Sequence, residues 1–123
     1  MNNPFPFFPQ EQPYSCGLFC LKIIAKYHKK VFDISNFSNR VTDKGLSIYE
    51  LCEIGEDIGF RSSAYEISLE NLLSFPKPLI VHWNEDHYVV LYEIKGGDYY
   101  ISDPAKGLLK YTQESFLNGW SNG

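Results

Sequence analysis

The sequence predicts an α+β fold, with helices packed on an antiparallel sheet that follows them in the chain. Before Pro78, apolar residues recur at helical spacing. After Pro78, short runs rich in valine, tyrosine and isoleucine are separated by turn residues, as in strands. The length of 123 residues is that of one domain, residues 1–123, with an extended arm at 1–9 and a terminus or linker at 121–123.

The chain starts with an extended arm, because prolines interrupt residues 1–14. The first helix is predicted from Cys16 to about Lys29, where lysines follow one narrow stripe and apolar residues fill the other positions. Ser15 is predicted to cap this helix. Three aromatic residues of the arm are expected to anchor it to the body: Phe5, Phe7 and Phe8.

A second long helix begins after Ser47, because Ser47 and Glu50 have the spacing of a capping box and an apolar stripe follows. Gly59 is predicted to end it. Three shorter elements are predicted around it: a helix at residues 34–40, a strand at 60–67 and a helical segment at 69–75.

Four strands are predicted beyond Pro78, at residues 79–83, 87–94, 99–103 and 108–111. Gly96 and Gly97 form a hairpin turn between the second and third strands, which makes that pair antiparallel. Thr112 is predicted to cap a final helix that runs through Trp120.

Charge and composition exclude several classes of function. Fifteen acidic residues against eleven Lys and Arg give a net charge of −4, so the basic surface of a nucleic-acid-binding protein is missing. The sequence has neither a signal peptide nor a run of about 18 apolar residues, which predicts a soluble domain. Its three cysteines are an odd number, which favours reduced thiols in a cytosolic setting.

Cys16 is the candidate nucleophile. Free cysteines are most often small buried apolar residues, and Cys20 and Cys52 fit that interpretation. Cys16 differs because it stands at a helix start, where open N–H groups favour a thiolate, and because Gly17 lets another segment approach. A thiolate in this role is expected to be partly exposed.

His87 is the candidate general base, because it opens a strand and can reach a neighbouring helix start. His28 lies about three helical turns, roughly 18 Å, from Cys16 and is too far away. His82, in the middle of a strand, remains an alternative that is more often a packing residue.

Asp103 and Gln10 complete the candidate site. Asp103 ends the strand beyond the Gly-Gly turn and is expected to lie beside His87 and to bind its Nδ1, although an Asp-Pro pair is also a common turn initiator. Gln10 lies six residues before Cys16 and can donate to an oxyanion, a role for which Gln12 competes.

Other chemistries lack support in the sequence. A metal site through Cys16, Cys20 and a histidine has no fourth ligand and no CxxC spacing. Neither a phosphate-binding loop nor a nucleophilic-serine motif is present. We therefore predict no metal and no cofactor.

Taken together, these motifs resemble the bacteriocin-processing, or double-glycine, cysteine peptidases, which are similar to papain in fold. The resemblance runs from about Phe8 to Trp120 and rests on Gln10 before Cys16-Gly17, the H-Y-V-V strand and the D-P-x-x-G turn. It implies that Cys16 is the nucleophile, His87 the general base and acid, Asp103 the orienting carboxylate and Gln10 an oxyanion donor together with the Cys16 N–H. Ser15 departs from the family, where Asp commonly precedes the cysteine.

The resemblance also implies a substrate and partners. Such peptidases cut leader peptides after a Gly-Gly pair and form the N-terminal domain of ABC transporters, on the cytoplasmic side of the membrane. Membrane and nucleotide-binding domains of the same transporter chain are therefore expected partners. Two alternatives stay open: a leader-docking domain without catalysis, and a cysteine amidase or acyltransferase with a small substrate.

Overall fold

The computed structural model describes residues 4–120; the predicted boundaries within residues 1–3 and 121–123 lie outside the described residues. Within the described range, no helix is long and apolar enough to cross a membrane. The elements in chain order are α1 (Cys16–Tyr27), two 3-10 turns (Ile34–Asn36 and Ser38–Arg40), α2 (Ile48–Asp57), α3 (Leu69–Ser74), β1 (Leu79–Trp83), β2 (His87–Lys95), β3 (Asp98–Asp103), β4 (Gly107–Thr112) and α4 (Gln113–Gly119). The predicted α+β order is confirmed.

Helix α1 ends two residues earlier than predicted. Lys29 has a φ of 59°, which stops the helix, and the N–H of Lys30 donates to the Ala25 carbonyl at 2.8 Å to close the last turn. Ser15 occupies the N-cap position, but its side chain makes no capping hydrogen bond. The predicted side-chain cap is therefore wrong, since the Ser15 hydroxyl binds the preceding loop instead.

Helix α2 starts with the predicted capping box. The Ser47 N–H donates to Glu50 Oε1 at 2.8 Å, and the Glu50 N–H donates to Ser47 Oγ at 3.1 Å. The helix closes at the predicted Gly59, whose N–H donates to the Glu56 carbonyl at 3.0 Å. The short helix predicted at residues 34–40 is two 3-10 turns.

The strand predicted at residues 60–67 does not form. This segment is irregular, and residues 63–66 are exposed. An extended segment becomes a strand only where a partner supplies hydrogen bonds, and the described sheet consists of four strands that begin at Leu79.

The four strands form one antiparallel sheet in chain order. Both of its faces are covered: one apolar cluster joins β2 to α1 and α2, and another joins β1, β2 and β3 to α3 and α4. Successive residues of β2 serve opposite faces, so Tyr88 and Val90 belong to the first cluster, and Val89 and Leu91 to the second. The predicted Gly96-Gly97 hairpin is present, with φ values of 61° and 82°.

The arm is tied to the body by aromatic and polar contacts. The Phe5 ring stacks on Tyr92 at a centroid distance of 4.0 Å, and the Lys22 ammonium lies 4.4 Å from the centre of the Phe8 ring. The Ser102 hydroxyl donates to the Pro6 carbonyl at 3.0 Å. The expected anchoring by Phe5 and Phe8 is confirmed, and it brings the arm across the sheet.

We predict that Gly119→Ala destabilises the fold by about 2 kcal/mol, although alanine is the better helix former. A Cβ at Gly119 would overlap the indole of Trp83, which is buried and cannot move away. Urea unfolding measures the change. Asn118→Ala on the exposed face of α4 is the control, and equal midpoints for the two variants would contradict the prediction.

Candidate active site

Cys16 is the first residue of α1 and points toward the sheet. Helix N-terminal N–H groups create a positive potential at this position, which favours a thiolate. The residue is only 4% exposed, so the expected partial exposure is wrong. The reason is that Cys16 packs into the apolar cluster that α1 shares with Tyr88 of β2.

His87 is the first residue of β2 and follows a tight connection from β1. Trp83 and His87 are paired across the hairpin, and the intervening Asn84 and Glu85 have φ values of 50° and 68°. This left-handed backbone reverses the chain within three residues. The His87 side chain is consequently held at the sheet end nearest α1, with 17% of its surface exposed.

Asp103 is the last residue of β3 and binds His87 directly. Its Oδ1 lies 2.7 Å from His87 Nε2, and the carboxylate is 2% exposed. The same oxygen accepts the Ala105 N–H at 2.8 Å. Asp103 therefore orients the histidine and also initiates the turn before β4, so both sequence interpretations apply.

The predicted ring nitrogen is wrong: Asp103 binds Nε2 of His87 and not Nδ1. Cys16 lies near enough to the imidazole to raise its pKa, and because Nε2 is bound to Asp103, Nδ1 is the nitrogen left to face the sulfur. The ring thus stands between the sulfur and the carboxylate, an order that the chain sequence alone does not specify.

The His87 pKa is raised to about 9. Burial alone would lower it, but the hydrogen bonds to Asp103 and Cys16 and the negative charges of both groups outweigh that effect. His87 is therefore an imidazolium at neutral pH. A thiolate and a carboxylate on its two sides are the arrangement that such a cation stabilises.

The alternative histidines lie elsewhere. The His82 ring stacks on Tyr88 at a centroid distance of 5.1 Å, on the strand next to His87. His28 caps the C-terminal end of α1 and contacts the ring of Phe60 at 5.5 Å. Within residues 4–120, Asp103 hydrogen-bonds the ring of His87 and neither of these two rings.

The other two thiols are in unreactive surroundings. Burial, followed by the nearby Cys16 and Asp103, raises the pKa of Cys20 well above its usual value. Burial and the neighbouring Glu56 also raise the pKa of Cys52. Both thiols are therefore protonated at neutral pH, which agrees with their interpretation as packing residues.

Gln10 reaches the site from the arm. Its N–H donates to the Pro104 carbonyl at 2.9 Å, and its side-chain Nε2 donates to the Gln12 carbonyl at 3.0 Å. It shares an open cleft of about 280 Å³ with the arm, the β1–β2 connection and the turn after β3, lined by Gln10, Pro13, Trp83, Asn84, Asp86, His87, Asp103, Ala105 and Lys106. Gln12, the competing glutamine, contributes its carbonyl.

Sequence reasoning missed the supports of this site. The Tyr88 hydroxyl donates to the Leu46 carbonyl at 2.9 Å, which fixes the residue after His87. The Pro104 carbonyl holds the backbone of Gln10. No local sequence pattern predicts either contact, because each contact joins segments that are far apart in the chain.

Comparison with known proteins places these features in a family. The family model of the peptidase C39 family matches residues 4–123. The lactococcin-G-processing and transport ATP-binding protein LagD of Lactococcus lactis subsp. lactis is 31% identical over 120 residues, covering 91% of this chain and 17% of that protein. The colicin V secretion/processing ATP-binding protein CvaB of Escherichia coli is 29% identical over 111 residues, covering 89% and 16%. The chain thus spans about a sixth of these relatives.

Solved structures agree. A double glycine motif protease from an AMS/PCAT transporter, crystallised with the leader peptide, superposes with a TM-score of 0.90 at 28% identity, covering 95% of this chain and 86% of that one. The peptidase domain of Streptococcus ComA has the same fold, with a TM-score of 0.87 at 21% identity, covering 97% and 94%. The chain belongs to the peptidase C39 family, and it is a cysteine peptidase domain.

Proposed function

We propose that this domain cleaves leader peptides after a Gly-Gly pair, with Cys16, His87, Asp103 and Gln10 as its catalytic residues. The observation that carries the proposal is the hydrogen bond between His87 and Asp103 in a cleft that Gln10 also lines, with Cys16 near enough to His87 to raise its pKa. The neighbour crystallised with a leader peptide supports the substrate class.

Acylation starts from the ion pair of the Cys16 thiolate and the His87 imidazolium. The Cys16 thiolate attacks the carbonyl carbon of the scissile peptide, a C–S bond forms, and the carbonyl electron pair moves to oxygen. A free N–H of Gln10 and the backbone N–H of Cys16 stabilise this oxyanion. Collapse breaks the C–N bond, and the leaving amine takes its proton from the His87 imidazolium.

Deacylation reverses the proton transfer. Neutral His87 accepts a proton from water, and the hydroxide attacks the thioester carbon. Collapse of the second tetrahedral intermediate expels the Cys16 thiolate and releases the leader as a carboxylic acid, which ionises. Asp103 keeps its hydrogen bond to Nε2 throughout, so that Nδ1 stays directed at the reacting atoms.

The open cleft fits the part of the substrate that leaves first. His87 donates its proton to the leaving amine, so the residues after the scissile bond must pass beside His87. The lining of the open cleft includes Asp86 and Lys106 beside His87. Neither charged group takes part in a salt bridge among the described residues, so both are available to the released peptide.

The relatives support a proposal about the partners of this domain, because their names describe processing together with transport or secretion. We propose that this domain acts within a peptide exporter, beside membrane and nucleotide-binding domains of the same chain. Its described helices do not cross a membrane. We place the domain on the cytoplasmic side, where reduced thiols persist and where precursors are made.

Cys16→Ala is expected to lower cleavage by roughly 10⁴-fold or more, since it removes the proposed nucleophile and leaves two thiols, Cys20 and Cys52, whose pKa values are raised. The measurement follows a precursor peptide with a Gly-Gly site by mass spectrometry, with a Val-Val peptide as the substrate control. Cys52→Ala is the protein control and should cleave normally. Binding of the Gly-Gly peptide without cleavage by the unmodified protein would favour a docking domain, and turnover of small amides alone would favour an amidase.

His87→Ala is expected to abolish cleavage, and His82→Ala to keep kcat within about threefold. The two rings lie on neighbouring strands, but His87 is the one that hydrogen-bonds Asp103 and whose pKa is raised by Cys16. Steady-state kinetics on both variants decides between them. Loss of activity in His82→Ala alone would overturn the assignment of the base.

The activity is expected to fall above about pH 9, where the His87 imidazolium loses its proton. Asp103→Asn should move this alkaline limb down by roughly one pH unit, because the carboxylate raises the His87 pKa. The profile of kcat/KM against pH measures the limb, with Asp98→Asn at the other end of β3 as the control. An unmoved limb in Asp103→Asn would contradict this account.

The same shift links pH to stability. Because folding raises the His87 pKa from about 6.5 to about 9, its stabilising contribution is complete below about pH 6.5. That contribution is lost as the pH rises to about 9. Unfolding free energies measured across this window should therefore decrease, and the decrease should be smaller in Asp103→Asn.

A further inference from the structure

The backbone of Gln12 connects Ser15, which precedes helix α1, to the side chain of Gln10 in the arm. The Ser15 hydroxyl donates to the Gln12 carbonyl at 2.9 Å and accepts the Gln12 N–H at 3.1 Å. The Ser15 N–H donates to the same carbonyl at 3.1 Å. Ser15 thereby engages the Gln12 backbone at both its donor and its acceptor, and the orientation of that carbonyl is fixed.

The same carbonyl decides where the Gln10 amide points. It accepts the Gln10 Nε2 at 3.0 Å. The NH₂ group is planar, so fixing one N–H also fixes the direction of the other. Gln10 Oε1 is buried and has no hydrogen-bond partner within residues 4–120. The hydrogen bond to Gln12 therefore holds the orientation of the Gln10 amide. If that amide were flipped, Gln10 Oε1 would face the Gln12 carbonyl oxygen, and the two oxygens would repel each other.

Ser15 is built into this arrangement. It is 5% exposed, and it directly precedes Cys16. A serine at this position ordinarily turns its hydroxyl to the open N–H groups of the helix, but here the hydroxyl faces the loop and caps nothing. Within residues 4–120, both hydrogen bonds of this hydroxyl go to the backbone of Gln12.

We propose that Ser15 is a positioning residue for the oxyanion hole. Its hydroxyl holds the Gln12 carbonyl, which holds one N–H of Gln10, so that the second N–H stays directed at the substrate oxygen beside Cys16. The inference rests on the proposed role of Gln10. It assigns Ser15 to stabilisation of the oxyanion, and it leaves thiolate formation to the helix terminus and His87.

Two reagents separate these roles in the intact domain. Acylation of Cys16 by p-nitrophenyl acetate passes through an oxyanion, and the burst of nitrophenolate measures its rate. Alkylation by iodoacetamide needs the thiolate but forms no oxyanion. Ser15→Ala should slow acylation about tenfold and leave the alkylation rate within about twofold. Ser15→Thr, which keeps a hydroxyl, should restore acylation.

A double-variant cycle tests the route through Gln10. Gln10→Ala should slow acylation about 100-fold, and adding Ser15→Ala to it should cost less than about twofold more. Ser102→Ala is the matched control, because it also removes a buried hydroxyl that donates to a carbonyl of the arm. It should lower the melting temperature without changing acylation relative to alkylation. Ser15→Gly replaces Ser15→Ala if the latter does not fold, since glycine is tolerated before a helix.

Three results would overturn the proposal: acylation and alkylation falling together in Ser15→Ala, neither rate changing, or an undiminished effect of Ser15→Ala in the Gln10→Ala background. Neither reagent requires leader recognition. A domain that shows the expected split but cuts no Gly-Gly peptide would refute the proposed substrate and retain the role of Ser15.

Discussion

The site depends on how closely the first turn of α1 packs against the start of β2. Gly17 follows Cys16, and Tyr88 follows His87. The distance between Gly17 and Tyr88 therefore sets the distance between the Cys16 sulfur and the His87 imidazole. A Cβ at Gly17 would lie 2.9 Å from a Leu51 methyl and 3.5 Å from the Tyr88 ring. Glycine at this position therefore avoids a close contact with Leu51 of α2, while the Tyr88 ring stays at an ordinary van der Waals distance from the first turn of α1. Apolar packing between helix and sheet thus places two polar groups in contact.

Burying those polar groups has a cost that the hydrogen bonds offset. An ionised carboxylate with 2% exposure is unfavourable unless it is paired. Asp103 meets this condition through His87 and the Ala105 N–H. The pairing makes His87 a stronger base, with a pKa of about 9. The contacts that make the buried charges tolerable are the ones that supply proton transfer.

Features set by neighbours in sequence were predictable. The capping box of Ser47 and Glu50, the Gly96-Gly97 hairpin and the helix start at Cys16 each follow from local chemistry. The meeting of His87 with Asp103 was also predictable, because an antiparallel hairpin brings the two strand ends together. The strand expected at residues 60–67 was wrong, because a short segment of the sequence does not show whether a partner strand exists.

Other errors had the same origin in long-range contacts. Which imidazole nitrogen faces Asp103 depends on where α1 lies relative to the sheet, and the exposure of Cys16 depends on the packing of Tyr88. The error at Ser15 has a different origin: its hydroxyl binds the backbone of Gln12, three residues earlier, so a local turn competes with the helix cap. Pro104, the residue after Asp103, accepts the Gln10 N–H at its carbonyl and so fixes the backbone of Gln10. The proposed oxyanion donor and the carboxylate that orients His87 are therefore positioned by the same turn, so the arm must be docked on the sheet before the two halves of the chemistry can act together.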